Sequence, residues 1–258
     1  MLAKERQNKI EHLIAKNGAV TTGDLVEQFA VSLETVRRDL LTMEQAGKLV
    51  RVHGGAVRKG EVQLFADLEQ RNLQHGKEKE ELAQCALRFI EEGDIIGIDA
   101  GSTAISVAKA IRDHFSNLTV VTFSLDVFDI LRENEGIDVI LCGGRFLRGE
   151  NAFLGALTLE TLKQINVPKW FLFPSAISLE HGVCCNLEAY YPLYRQMIAS
   201  AGQAYILADS SKFEQRALLK LHDMSPQHIH VTDSGLPEEL RKLYLENGMQ
   251  IIVGGNKP

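Results

Sequence analysis

Seven short apolar runs, at 95–99, 118–123, 137–142, 170–177, 204–208, 229–232 and 250–253, recur through the last 180 or so residues, with helical segments between most of them. Strands that read as continuous apolar runs are buried on both faces, and alternation with helices is the pattern of βα units. This predicts a Rossmann-like, largely parallel α/β sheet over 77–258. The segment 103–114, with Ile105, Ala108 and Ile111 on one face, is one of its helices. In such sheets ligands bind where strands end, so the residues that follow each strand carry the functional information.

The first sixty residues follow a different pattern. Ile10, Leu13 and Ile14 have helical spacing, and Asn17-Gly18 stops that segment. Thr21-x-x-Asp24 resembles a capping box ahead of Leu25, Val26 and Phe29, giving a second helix that ends at Ala30. Val31-Ser32 makes a turn, and Ser32 caps a third helix with Leu33, Val36, Leu40 and Met43 facing inward. From Lys48 to Val57 apolar and polar residues alternate around His53-Gly54-Gly55, which predicts a two-stranded wing. Three short helices and a wing form a winged helix-turn-helix, with the helix-turn-helix itself at about 20–39.

Charge supports the division. The chain of 258 residues has a net charge of -6, which on its face disfavours a polyanionic partner. Residues 1–60, however, hold ten Lys and Arg against seven Asp and Glu, a net of +3, leaving -9 on the remainder. A basic head on an acidic body is the asymmetry expected when one part meets double-stranded DNA. In this geometry the third helix enters the major groove. Ser32, Thr35, Arg37 and Arg38 are then candidates for base and phosphate contacts, with Arg51 and His53 on the wing. The alternative is a solvated helix face on which Arg37 or Arg38 pairs with Glu34 or Asp39.

Arg6-x-x-x-Ile10, Ser32-x-x-Thr35-Val36-Arg37-Arg38-Asp39-Leu40 and Gly47-x-Leu49-x-Arg51-x-His53-Gly54-Gly55 resemble the N-terminal signature of the DeoR-type bacterial repressors. The resemblance implies an operator-binding transcription factor, most simply a repressor of a carbohydrate or nucleoside catabolic operon, whose C-terminal domain senses a phosphorylated sugar. The expected boundaries are 1–58 for the DNA-binding domain, 59–76 for a polar linker and 77–258 for the sensor.

At the first strand end, Asp99-Ala100-Gly101-Ser102-Thr103 runs directly into a helix. Backbone N–H groups, two hydroxyls and the positive end of the helix dipole converge there, which makes a candidate phosphate cradle. It is neither a Walker loop nor GxGxxG, and a simple Ser/Thr helix cap is the alternative. Ser124 after the second strand, Gly143 and Arg145 after the third, and Lys212 in Ala208-Asp-Ser-Ser-Lys-Phe213 extend the set, Lys212 supplying a cation for a phosphate dianion. These segments are similar to the sensor domain of the same family, itself similar in fold to ribose-5-phosphate isomerase. That resemblance gives Gly101, Ser102, Thr103 and Lys212 the phosphate and makes Glu188 of Asn186-Leu187-Glu188 a candidate for sugar hydroxyls. Leu141-Cys-Gly-Gly144 and Cys185-Asn-Leu-Glu188 look most like the deoxyribonucleoside regulators of that family, a resemblance that implies a pentose phosphate as the ligand. The chain departs from the family pattern at Phe123 and over 173–178, which bears on the shape of the pocket.

A sugar-phosphate isomerase fused to a DNA-binding head is the rival reading. Isomerisation needs a placed carboxylate base, and 172–186 offers only Glu180 beside a turn. Metal sites score poorly, because His181 with Cys184-Cys185 and His228-x-His230 lack a full ligand set at the usual spacings. No cofactor is expected. The four cysteines lack paired CxxC spacing and are read as reduced thiols; with no membrane-length apolar run, the expected location is cytoplasmic, associated with the nucleoid when bound to operator. A homo-oligomer, dimer or tetramer, is expected to present two heads to repeated half-sites.

Overall fold

The computed structural model describes residues 3–17, 19–52, 55–58 and 68–255. The chain divides into two compact units, one of Met1–Phe65 and Gln215–Leu218, the other of Ala66–Glu214 and Leu219–Pro258.

In the first unit α1 (Ala3–Asn17), α2 (Thr22–Phe29) and α3 (Leu33–Gln45) enclose a core of Ile10, Ile14, Val20, Leu25, Val36, Leu40, Met43, Leu49 and Ala56. Both predicted caps form: Thr21 Oγ1 accepts from Asp24 N at 3.1 Å and Ser32 Oγ from Thr35 N at 3.2 Å. Leu33, expected inside, is 42% exposed. It is the first helical residue and lies before the buried stripe, which runs Val36, Leu40, Met43. The wing is β2 (Leu49–Val52) and β3 (Gly55–Arg58), and a third strand, β1 (Ala19–Thr21), pairs with β3 to give the order β1-β3-β2. The two-stranded wing is present as expected, and β1 extends its sheet by a strand that the sequence reading did not include. Gly55 makes room for the third, since a Cβ there would stand 2.1 Å from the Val20 carbonyl oxygen.

The second unit opens with α4 (Leu68–Leu73) and α5 (Gly76–Leu87). Helix α4 falls inside the span expected to be linker. Its apolar signal is weak, because of its two leucines Leu68 is buried and Leu73 is 89% exposed. The structure is held instead by polar contacts from Lys79, described below. Then follow β4 (Ile95–Ile98), α6 (Ser102–His114), β5 (Leu118–Thr122), α7 (Leu125–Leu131), β6 (Ile137–Leu141), the hairpin β7 (Arg145–Leu147) and β8 (Ala152–Leu154), α8 (Ala156–Gln164) and β9 (Lys169–Leu172). After them come β10 (Ala176–Ser178), β11 (Gly182–Cys185), α9 (Tyr191–Ser200), β12 (Gln203–Leu207), β13 (Leu219–His222), β14 (Ile229–Thr232), α10 (Glu238–Glu246) and β15 (Gln250–Val253).

Seven strands form one parallel sheet in the order β15-β14-β12-β9-β4-β5-β6. Alternate residues of each strand enter different cores. Val121, Trp170, Leu172 and Ile206 join one, while Val120, Phe171, Tyr205 and Leu207 join the other, as the two-residue period of a strand requires. The run 170–177, expected as one strand, is split between this sheet and a small antiparallel sheet of β10, β11 and β13. Pro174 lies at the break and has no N–H for a ladder. No helix among the described residues is long and apolar enough to cross a membrane.

Strand order reverses between β4 and β9: the chain moves outward through β5 and β6, then returns to pair β9 on the other side of β4. The loops at the carboxyl ends of β4 and β9 flank that reversal, the place where a ligand crevice forms in open α/β sheets.

Candidate functional site

The first unit presents the N-terminus of α3. Ser32 and Thr35 there are joined by a 2.9 Å hydroxyl hydrogen bond. Arg37 and Arg38 are exposed and have no ion-pair partner among the described residues. Of the two acids considered as partners, Asp39 is buried and bound by the guanidinium of Arg6 and, at 3.3 Å, by the amide of Gln7, while Glu34, one helical turn before the pair, is exposed and makes no ion pair among the described residues. Arg51 is also exposed, but its N–H donates to Glu44 Oε1 at 2.8 Å and its guanidinium lies 3.9 Å from Glu44 Oε2, so its charge is partly offset. His53 lies outside the described residues.

In the second unit Gly101 adopts φ +126, a conformation L side chains rarely take, and turns the chain from β4 into α6. Ser102 and Thr103 occupy the first two positions of the helix, and both are buried. Thr103 Oγ1 is buried without a hydrogen-bond partner among the described residues. Asp99 accepts from Ala100 N at 2.7 Å and Phe173 N at 3.3 Å, tying the ends of β4 and β9 together. Burial raises its carboxyl to about 7 against those two N–H bonds.

Cations gather at the same loop. Lys212, on the 3-10 turn Ser210–Lys212, stands 3.7 Å from the buried Asp209 carboxylate. Burial lowers its pKa, and Asp99 is among the charges it senses. Arg71 of α4 places Nη1 3.7 Å from where a Cβ on Gly101 would stand, while its Nη2 donates to both oxygens of buried Glu150 at 2.7 Å. Lys79 of α5 is buried and donates to the carbonyls of Arg71 and Gln74, the latter at 2.5 Å, so it closes the turn between α4 and α5. Its pKa falls to about 8, through burial first and then the charge of Lys212.

Asp99, Gly101, Ser102, Thr103 and Lys212 are therefore brought together. Ser124 is buried, with its Oγ accepting from Val127 N at 3.3 Å as the cap of α7. Gly143 is exposed, its carbonyl accepting from Thr158 Oγ1 at 3.0 Å. Arg145 and Glu188 are both exposed, and no hydrogen bond or ion pair among the described residues joins either to the cluster. Phe123 is wholly buried, with its ring 5.9 Å from that of Tyr190. Glu180 is exposed at its turn.

Sequence reasoning missed Arg71, Lys79 and Glu150. A signal existed for Lys79, because it shares the inward stripe of α5 with Leu82, Ala83 and Ala86 at helical spacing. For Arg71 and Glu150 there was none, since their pairing spans 79 positions.

Residues 6–61 match the family model of the DeoR-like helix-turn-helix domain, and residues 74–234 that of the DeoR C terminal sensor domain. Among curated proteins, the transcriptional repressor AccR of Agrobacterium fabrum is 33% identical over 94% of this chain and 96% of its own. The HTH-type transcriptional regulator IolR of Bacillus subtilis is 32% identical over 91% and 92%. The lactose phosphotransferase system repressor of Streptococcus mutans is 30% identical over 94% and 97%.

Proposed function

Because the chain belongs to the DeoR family of transcriptional regulators, we propose that it binds operator DNA through α3 and the wing and is controlled by a phosphorylated sugar held at the Asp99–Thr103 loop. The observation that carries the effector reading is Arg71 at the N-terminus of α6, its Nη1 3.7 Å from where a Gly101 Cβ would stand, with Lys212 and Lys79 near enough for each to sense its charge. Burying cations costs solvation that an anion restores, and a helix N-terminus adds aligned N–H donors. Two lysines with depressed pKa values and an arginine suit a phosphate dianion better than a neutral sugar. Gly101, Ser102 and Thr103 supply the cradle, and Lys212 the charge-assisted bond. Ser124, Gly143, Arg145 and Glu188 are assigned to the outer parts of the site.

Two relatives bear names that specify a sugar, the lactose phosphotransferase system repressor of Streptococcus mutans and, in Haemophilus influenzae, an L-fucose operon activator at 31% identity. We read this chain as a repressor of a carbohydrate or nucleoside operon, with a pentose phosphate as first choice of effector, acting in the cytoplasm as a homo-oligomer. We read the sensor as binding without turnover, in keeping with relatives named as transcriptional regulators and repressors; Glu180, the carboxylate considered for isomerisation, is exposed. The test is a thermal-shift panel of phosphorylated sugars with their free sugars as controls. Stabilisation by the phosphorylated compounds alone, lost in Lys212→Ala, supports the assignment; a normal response in Lys212→Ala overturns it.

A further inference from the structure

The chain passes between the two units at three peptide bonds, Phe65–Ala66, Glu214–Gln215 and Leu218–Leu219. The last two bracket four residues, Gln215–Leu218, that belong to the first unit although both flanks lie in the second. At the outgoing crossing Glu214 has φ +54. A left-handed backbone is uncommon in a residue other than glycine, and its strain persists only where the surrounding structure enforces it.

The enforcement comes from both flanks and from one side chain. Phe213 is buried; its N–H donates to the Ser210 carbonyl at 3.3 Å, it bridges Ile177 in parallel, and its ring stands edge-on to that of Tyr244 with centroids 5.4 Å apart. Beyond the excursion, Leu219 is fixed in β13 by pairing with Cys185 of β11. Tyr244 of α10 is wholly buried, and its hydroxyl donates to Glu214 Oε1 at 2.5 Å. Glu214 itself is exposed, so packing does not hold its side chain, and the bond to the buried phenol does. Without that bond the strained backbone relaxes by rotating φ to a negative value, which redirects the short segment that follows. A strained residue with a defined release is a two-state element, and coupling between two parts of a protein requires one.

We propose that Tyr244 and Glu214 form a latch through which the second unit sets the operator affinity of the first. Latched, Gln215–Leu218 keeps one conformation within the first unit; unlatched, it moves, and the first unit meets DNA in a different state. This rests on operator binding by the first unit and names the element by which the second acts on it. Lys212 lies two residues before Glu214, on the 3-10 turn that Phe213 closes, so an event at Lys212 reaches the latch through the chain itself.

The test uses the full chain as wild type, Tyr244→Phe, Glu214→Ala and Glu214→Gln, with two readouts. One is the rate of tryptic cleavage after Arg216, an exposed residue of the segment, which reports how often the segment opens. The other is affinity, at fixed salt, for a labelled duplex from the chain's own operator region. Tyr244→Phe removes one oxygen from a core ring; Glu214→Ala removes the acceptor from an exposed position and so tests the latch even if the phenylalanine variant folds poorly. Both should be cleaved at least about tenfold faster, the shift expected when a hydrogen bond to a carboxylate is lost. Both should also change duplex affinity in the same direction by at least about fivefold. Glu214→Gln keeps an oxygen to accept from the phenol and should stay close to wild type in both readouts. Faster cleavage with unchanged duplex affinity reduces the pair to a structural contact and overturns the proposal, as does wild-type cleavage in both Tyr244→Phe and Glu214→Ala. If wild type does not bind the duplex, the operator-binding reading and this proposal fall together.

Discussion

Lys79 is buried, donates to two carbonyls and has no carboxylate bonded to it among the described residues. With its pKa near 8, it is only partly protonated just above neutrality. A phosphate dianion arriving nearby favours the charged form, so binding of a sugar phosphate at pH 8 should be accompanied by proton uptake. Titration in buffers of different ionisation enthalpy measures this, and zero uptake would place Lys79 outside the anion's reach. A second residue-level consequence concerns His230, whose pKa burial lowers from 6.5 to about 4, with His228 lowered likewise. Between those pH values the unfolded chain binds protons that the folded chain refuses, so stability falls as pH drops from 6.5 toward 4 and is indifferent to these groups above 6.5. At pH 5 the His230 contribution amounts to about 2 kcal/mol. Melting temperatures at pH 7 and pH 5 should differ accordingly, and the difference should shrink in His230→Gln.

At the scale of elements, α3 shows how a short motif determines both structure and exposure. Ser32 caps it, Val36, Leu40 and Met43 anchor it, Arg6 takes Asp39, and Arg37 and Arg38 have no ion-pair partner among the described residues. Loss of the cap in Ser32→Ala should destabilise the head by about 1 kcal/mol. Hydrogen exchange of the α3 amides measures it, and unchanged protection contradicts the capping role. The elements readable in the sequence were those with local signals: caps at Thr21 and Ser32, the period-four stripe of α3, and the apolar runs that became β4, β5, β6, β12, β14 and β15. Elements defined by distant partners were not readable. Strand β1 has three residues and exists because β3 has Gly55 opposite it. Helix α4 is tied by Lys79, and the β7–β8 hairpin carries Glu150 to Arg71. The candidate site divides in the same way: the loop 99–103 and Lys212 lie in recognisable strand-end segments, whereas Arg71 and Glu150 come from elements with no strand-end signature.

For the whole molecule, the division of charge gives a specific expectation. Only the +3 head approaches DNA favourably, and Arg37 and Arg38 are its exposed cations on α3. Arg37→Ala should weaken operator binding, with partial loss of sequence preference and a shallower dependence on salt if Arg37 holds a phosphate. Sugar-phosphate control requires the two sites to share a coupling free energy, typically worth about 5- to 150-fold in affinity. Fluorescence anisotropy of a labelled duplex from the chain's own operator region, at fixed salt, with and without ribose 5-phosphate or fructose 6-phosphate, measures that coupling directly. Duplex affinity should change by at least about fivefold with a phosphorylated sugar, not at all with the free sugar, and show no response in Lys212→Ala. Duplex affinity indifferent to every phosphorylated sugar, or a full response in Lys212→Ala, would contradict control by a phosphorylated sugar.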